Sequence, residues 1–174
     1  MKKILALVIA AIMILTAVSA LATESKENED IAQGSTNVDG LDMDTAEDNE
    51  GTSAIKDAIK EAAENGDAID GLPDEVKDQL PDGFATINDM ETFQLDGDFD
   101  AAEEPIILTF KFETPYEEGE KVVVAIGIVP PEGEAEWLMK EGEGNADGAV
   151  EVEVTIEELN KISDNPFVVI PVSE

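Results

Sequence analysis

The amino-acid sequence predicts a mainly β fold: a small β-sandwich with short helices on its N-terminal side, preceded by a disordered acidic linker. Every aromatic residue of the chain lies from Phe84 onward, so the hydrophobic core is expected there. From the same point short apolar runs alternate with turn signals, and about six such strands are typical of a sandwich. A small barrel or an α+β sheet stays open as an alternative, because strand order is not visible in a sequence.

The individual strands are predicted from alternating or continuous apolar residues between turns. Residues 121–129 are apolar on both faces, which indicates a central strand covered on both sides. Pro171 in the last run predicts an edge position or a strand end, because proline has no N–H for the ladder. The predicted strands are residues 91–95, 106–113, 121–129, 134–140, 150–156 and 167–172.

Helical spacing and capping residues predict short helices. Residues 53–65 place apolar side chains on one helical face, and Gly66 follows as a C-terminal stop. A second helical turn is expected to open at Pro73. Thr155 begins a capping-box pattern, which predicts a helix over residues 156–162.

The first residues have the layout of a secretory signal peptide. Lys2 and Lys3 form a short positive region, residues 4–18 are almost purely apolar, and small residues precede a cleavage point after Ala22. We therefore expect an exported protein, secreted or held at the cell surface. An uncleaved N-terminal anchor is the alternative, since the apolar run approaches the roughly 20 residues that span a bilayer.

The segment that follows the signal peptide is predicted to be a disordered acidic linker. It has no aromatic residue and few large aliphatic ones, and it is dense in acidic and small polar residues. Low hydrophobicity combined with like charge cannot offset chain entropy, which favours disorder. The predicted organisation is a signal peptide over residues 1–22, the linker over 23–52, a helical segment over 53–83 and the β-sandwich over 84–174.

The composition excludes several classes of function. The formal net charge is -32, from 42 acidic residues against 10 basic ones, and the chain has no arginine, histidine or cysteine. A charge this negative disfavours nucleic acid and anionic membrane surfaces. Without cysteine and histidine, thiolate nucleophiles and the commonest general base and transition-metal ligand are missing. These absences argue against an enzyme, and no catalytic residue is assigned.

The second half of the chain resembles the immunoglobulin-like β-sandwich modules of secreted bacterial proteins. The resemblance rests on residues 112–121, which lead into alternating valines, on Trp137, on the turn at Asp147 and Gly148, and on the valine-rich strand that begins at Phe167. It implies a spacer or a binding unit outside the cell. It implies no catalytic residue.

One acidic loop is a candidate calcium site. Asp96, Asp98 and Asp100 have the opening spacing of an EF-hand loop. The pattern then fails, because Ala101 stands where the sharp-turn glycine belongs and Ile107 stands where the bidentate glutamate belongs. A solvated acidic turn between two strands is therefore the favoured interpretation, and calcium is the one candidate cofactor.

Two aromatic residues are candidate ligand-binding residues. Tyr116 and Trp137 could together form a platform on which a sugar ring stacks. The alternative is that they pack in the core, which we favour for Trp137, because a lone tryptophan in a small sandwich is usually buried.

The sequence favours a non-catalytic exported module with a binding or spacer role, whose partner is an unidentified protein or glycan. One alternative is a calcium- or salt-dependent structural protein with an acidic surface. A small carboxylate-based hydrolase is a minority alternative, because that chemistry needs only two carboxylates.

Overall fold

The structure, a computed structural model, describes residues 32–99, 102–130 and 135–174. Its strands are β1 (Gln33–Thr36), β2 (Leu41–Thr45), β3 (Thr86–Ile87), β4 (Glu91–Gly97), β5 (Ile106–Lys111), β6 (Lys121–Ile128), β7 (Glu136–Gly144), β8 (Val150–Val154) and β9 (Phe167–Ser173). In the described residues these nine strands form one antiparallel sheet, in the order β1-β5-β8-β7-β6-β9-β4-β2, with β3 paired to β9. The prediction of a mainly β fold is confirmed, with more strands than expected.

One face of the sheet carries the larger hydrophobic core, which we call the inner core. Its centre is aromatic: the rings of Phe93 and Phe110 lie 5.2 Å apart in a tilted arrangement, and Phe112 and Phe167 pack around Phe93. The inner core comprises Leu41, Met43, Phe93, Leu95, Ile106, Leu108, Phe110, Phe112, Tyr116, Val122, Val124, Ile126, Ile128, Val150, Val152, Val154, Leu159, Ile162, Phe167 and Val169.

The opposite face of β6 and β9 is covered by a second core, the outer core. It comprises Ile59, Leu72, Val76, Ala125, Val168, Ile170 and Val172. Because β6 and β9 contact one core on each face, both strands are buried along almost their whole length. The predicted central strand over residues 121–129 is thereby confirmed as β6, between β7 and β9.

Three α-helices and one 3₁₀ helix complete the described part of the chain. They are α1 (Glu50–Asn65), the 3₁₀ helix Ala68–Gly71, α2 (Asp74–Lys77) and α3 (Ile156–Ser163). The helix predicted to end before Gly66 is α1, the turn predicted at Pro73 is α2, and the capping box at Thr155 is present at the start of α3. Within the described ranges, no helix is both long and apolar enough to cross a membrane.

The prediction of a disordered linker over residues 23–52 is wrong from residue 33 onward. β1 pairs with β5 and β2 pairs with β4, so this acidic segment supplies both end strands of the sheet. Alternation explains the result: Leu41 and Met43 are each 4% exposed in the inner core, whereas Asp42 and Asp44 face solvent. The signal peptide over residues 1–22 and residues 23–31 of the linker lie outside the described residues.

The boundary expected between a helical segment and a β domain at residue 84 does not separate two bodies. From residue 32 onward the described residues form one compact unit, in which α1 and α2 supply Ile59 and Val76 to the outer core. The helices therefore fold as a cover on the sheet. Most of the stability of protein helices comes from such packing of one apolar face.

The edge position expected for Pro171 is also wrong, because β9 lies inside the sheet. Pro171 pairs with Val124 of β6. On the other side of β9, β4 pairs as far as Val169 and β3 pairs from Val172 onward. Pro171 thus falls in the gap between β4 and β3, where the ladder needs no N–H donor.

Candidate functional site

The outer face of the sheet carries a groove that the helices leave open. It has a volume of about 590 Å³ and crosses β6, β7, β8 and β5. The segment between α2 and β3 forms one wall through Pro81 and Phe84. We call this site the acidic groove, and it is lined by Pro81, Phe84, Ile107, Lys121, Val122, Val123, Glu141, Gly142, Glu143, Glu151, Val152, Glu153 and Glu174.

Strand alternation places the glutamates of the acidic groove. In β8 the valines are buried in the inner core, so Glu151 and Glu153 point to the outer face. In β7, Glu141 and Glu143 are exposed while Gly142 is buried between them. The carboxylates of two neighbouring strands therefore share one surface.

The register of the sheet sets like charges opposite each other. Glu143 of β7 pairs directly with Glu151 of β8, an arrangement that destabilises an antiparallel pair. Two contacts offset the repulsion. Lys121 forms an ion pair with Glu143, and Asn145 Nδ2 donates a hydrogen bond to Glu151 Oε1 at 2.8 Å.

Two glutamates of the acidic groove have no such compensation. In the part of the chain that the structure describes, neither Glu141 nor Glu153 makes a side-chain hydrogen bond or ion pair. Both side chains are exposed, and the half-buried Ile107 and the buried Val123 lie beside them. The groove thus combines uncompensated negative charge with an apolar floor.

The predicted calcium ligands lie elsewhere on the sheet. Asp96 is in β4 opposite Asp42 of β2, and Asp98 follows the end of β4 in an exposed position. Asp100 lies outside the described residues. Among the residues that are described, no three acidic side chains are grouped closely enough to hold a metal ion, so the calcium site stays a prediction.

The two predicted aromatic ligand residues are separated by the structure. Tyr116 is 5% exposed in the inner core, where its ring meets Phe112 edge-on at 6.4 Å. Trp137 is half-buried and packs against the outer core. The two rings therefore belong to different cores and do not form a common platform, and the core packing that was the favoured alternative for Trp137 is what the structure has.

Burial also governs the chemistry of Tyr116. Its hydroxyl is buried and has no hydrogen-bond partner among the described residues. Burial, with a smaller contribution from the charges of Asp89 and Glu120, raises the pKa of Tyr116. The phenol is therefore held neutral, as expected of a core residue.

Sequence reasoning missed a buried lysine that joins α1 to the sheet. Lys56 Nζ lies 2.9 Å from both Asp48 Oδ1 and Glu91 Oε1, and Thr92 Oγ1 also donates a hydrogen bond to Asp48. Only 9% of the Lys56 side chain is exposed. Its signal in the sequence was its helical spacing, three residues before the buried Ile59 and four after Thr52.

The two charge partners shift each other's ionisation. Burial would lower the pKa of Lys56, but its hydrogen bonds and ion pairs with Asp48 and Glu91 outweigh burial and raise that pKa. Burial would likewise raise the pKa of Asp48, but hydrogen bonds with Thr92 and Lys56 outweigh it and lower that pKa. Lys56 is therefore a charged residue that links α1 to the sheet. A nucleophilic amine would instead need a lowered pKa.

The lining of the acidic groove determines what it can do chemically. Its described residues offer carboxylates, one ammonium group and apolar side chains, without a hydroxyl, thiol or imidazole. Such a surface can hold a cation and cover an apolar group at the same time. Comparison of the chain with protein-family models, curated proteins and solved structures gave no match.

Proposed function

We propose that this chain is a non-catalytic exported module that binds a ligand in the acidic groove. The observation that carries the proposal is the groove itself, in which Glu141 and Glu153 stand without partners among the described residues beside the apolar Ile107 and Val123. Composition supports the absence of catalysis, because the chain has no histidine, cysteine or arginine. The signal-peptide layout of residues 1–22 supports export.

At the level of architecture, the proposal is a sheet that curls until its end strands approach each other. A Cβ atom added to Gly34 of β1 would lie 2.7 Å from Met43 Cγ of β2, so the two ends of the strand order are close in space. A curled sheet of this kind differs from the immunoglobulin-like sandwich expected from the sequence, in which two separate sheets face each other. The acidic groove lies on the convex side.

A salt- or calcium-dependent structural protein is the second candidate, and one observation favours it. Glu143 and Glu151 are directly opposed in a chain of net charge -32. Cations that accumulate at this surface would stabilise the fold by reducing repulsion. In this case the acidic groove would hold exchangeable ions rather than a specific ligand.

An NMR titration tests the proposed binding role. Benzylamine, benzyl alcohol and benzoate share one ring and differ in charge, so they probe the charge preference of the acidic groove. We expect benzylamine to produce saturable amide shifts at Val123, Glu141 and Glu153, and benzoate to produce none. If no fragment perturbs the groove, or if benzoate perturbs it as strongly as benzylamine, the proposed binding role is wrong.

A further inference from the structure

We infer that the ligand of the acidic groove is an extended peptide segment of another protein, with lysine or arginine at alternate positions and an apolar residue beside them. This inference rests on the binding role proposed above. A cationic head group would lie between Glu141 and Glu153, and the apolar side chain would cover Val123 and Phe84, which lie on the β6 side of Glu141. The negative charge of the groove, its apolar residues and the spacing of its glutamates each support this occupant.

Charge complementarity requires a cationic occupant. The described lining of the groove has five glutamates against one lysine, Lys121, and that lysine already pairs with Glu143. A second copy of this chain would be repelled, because each copy carries a formal charge of -32. Anionic lipids and nucleic acids are disfavoured for the same reason.

The apolar floor requires more than a cation. The half-buried Ile107 of β5 lies beside Glu153, whereas on the other side of the glutamates Val123 of β6 lies beside Glu141, towards the half-buried Phe84. A metal ion or a polyamine would leave this floor in contact with water. An aliphatic side chain would remove apolar surface from water, at roughly 25 cal/mol per Å² buried.

The spacing of the charges matches an extended peptide. Glu141 and Glu143 are two residues apart on β7, and Glu151 and Glu153 are two residues apart on β8. Side chains on the same face of a strand repeat at roughly 6.8 Å. Alternate side chains of an extended peptide repeat at the same distance, so two cations of one peptide can face two rows of glutamates. The groove volume of about 590 Å³ suits a few side chains.

Fluorescence anisotropy with a labelled probe peptide tests the inference on the purified protein. The probe has the sequence Lys-Ser-Lys-Ser-Leu, with capped ends. Its comparison peptides replace both lysines by glutamate, replace leucine by serine, or place the two lysines next to each other. We expect the probe to bind, the glutamate peptide not to bind, and the other two peptides to bind several-fold more weakly.

Matched protein variants identify the site. Glu141→Gln combined with Glu153→Gln should weaken binding of the probe about tenfold, which corresponds to two lost charge-assisted contacts. The control combines Glu61→Gln with Glu64→Gln, two exposed positions on α1. It removes the same net charge away from the groove, so binding should change less than twofold.

The outcomes separate this inference from the proposed binding role. Equal loss in both double variants would mean general attraction to an acidic protein, and it would overturn the inference. Spermidine binding more tightly than the probe, with no effect of the leucine replacement, would also overturn it in favour of a polyamine. If benzylamine perturbs the groove but the probe does not bind there, only the peptide inference fails. If neither binds there, both proposals fail.

Discussion

The side chain of Lys56 shows how a single residue orients an element of this fold. Its ammonium group reaches Asp48, which precedes α1, and Glu91, which begins β4. The aliphatic part of the side chain is buried with Thr52 and Ile59 on the same helical face. A charge in this position needs both carboxylates, because an unpaired buried ammonium group is costly.

Replacing this lysine should therefore destabilise the protein. Lys56→Met keeps the aliphatic bulk but leaves Asp48 and Glu91 facing each other without a cation. We expect a loss of about 2 kcal/mol in the free energy of unfolding, less than for a fully buried pair, because both carboxylates keep contact with solvent. Urea denaturation measures this loss. Lys60→Met, an exposed position on the same helix, is the matched control and should change stability by less than about 0.5 kcal/mol.

The lowered pKa of Asp48 predicts a pH dependence whose sign can be worked out. A carboxyl group with a lowered pKa in the folded state contributes stability above its unfolded pKa, near 3.8, and loses it as the pH falls through the folded value. The advantage of the wild-type protein over Asp48→Asn should thus be constant from about pH 5 to 8 and shrink below about pH 4. Lys56, whose pKa is raised, adds no change in this range.

The measurement is urea denaturation of both proteins at each pH. Protonation of the many other carboxylates also changes stability at low pH, but it does so in both proteins, so their difference isolates Asp48. A difference that stays the same from pH 2 to 7 would contradict the role assigned to this carboxylate.

At the same scale, the sequence predicted which way some residues of the acidic groove face but not which strands lie side by side. The alternation of valine and glutamate in residues 150–154 correctly indicated that Glu151 and Glu153 face away from the core. It could not indicate that β8 lies beside β7, because pairing depends on contacts between distant segments. The juxtaposition of Glu143 with Glu151 therefore needed the structure.

At the scale of elements, strongly periodic segments were predictable and weakly apolar ones were not. β5, β6 and β8 each have at least three buried apolar residues, and their positions were predicted closely. β2 has only Leu41 and Met43 among acidic neighbours, so its composition is that of a disordered segment. It forms a strand because β4 and the inner core provide what its own sequence lacks.

The short helix α3 offers a test of local sequence signals. Thr155 Oγ1 accepts a hydrogen bond from Glu158 N at 3.2 Å, and Glu158 Oε2 accepts one from Thr155 N at 2.9 Å. Thr155→Ala removes the first of these bonds, so we expect a loss of about 1 kcal/mol in the free energy of unfolding. Leu159 of α3 is buried in the inner core, so the cap contributes to global stability.

Urea denaturation measures the effect of the cap. Ser163→Ala, at the other end of α3, is the control, because Ser163 Oγ donates to Asn160 O and does not cap the first turn. It should change stability by less than about 0.5 kcal/mol. Equal losses in the two variants would show that the capping box has no special role.

For the whole molecule, the two cores explain why a chain of such high negative charge can fold. β6 and β9 lie between the inner core and the outer core, so the sheet is held by apolar contacts on both faces at its centre. Apart from the buried Lys56, the charged residues of the described ranges lie in loops, on the solvent-facing sides of the helices and at outward-facing or terminal positions of the strands. The acidic groove lies beside this doubly covered centre, and strand pairing keeps its glutamates in register even though they repel each other.

The contribution of the N-terminal strands to this architecture leads to a prediction for the whole chain. A chain that begins at residue 47 lacks β1 and β2, and with them the buried Leu41 and Met43. Burying one such side chain stabilises a protein by roughly 1.5–3 kcal/mol, so the shortened chain should lose a large part of a typical stability of about 5–15 kcal/mol. A chain that begins at residue 32 keeps both strands and is the reference for this comparison. Leu41→Ala combined with Met43→Ala in the full chain should reproduce most of the loss without removing backbone.

If the chain that begins at residue 47 unfolds at the same urea concentration as the chain that begins at residue 32, β1 and β2 do not belong to the cooperative fold.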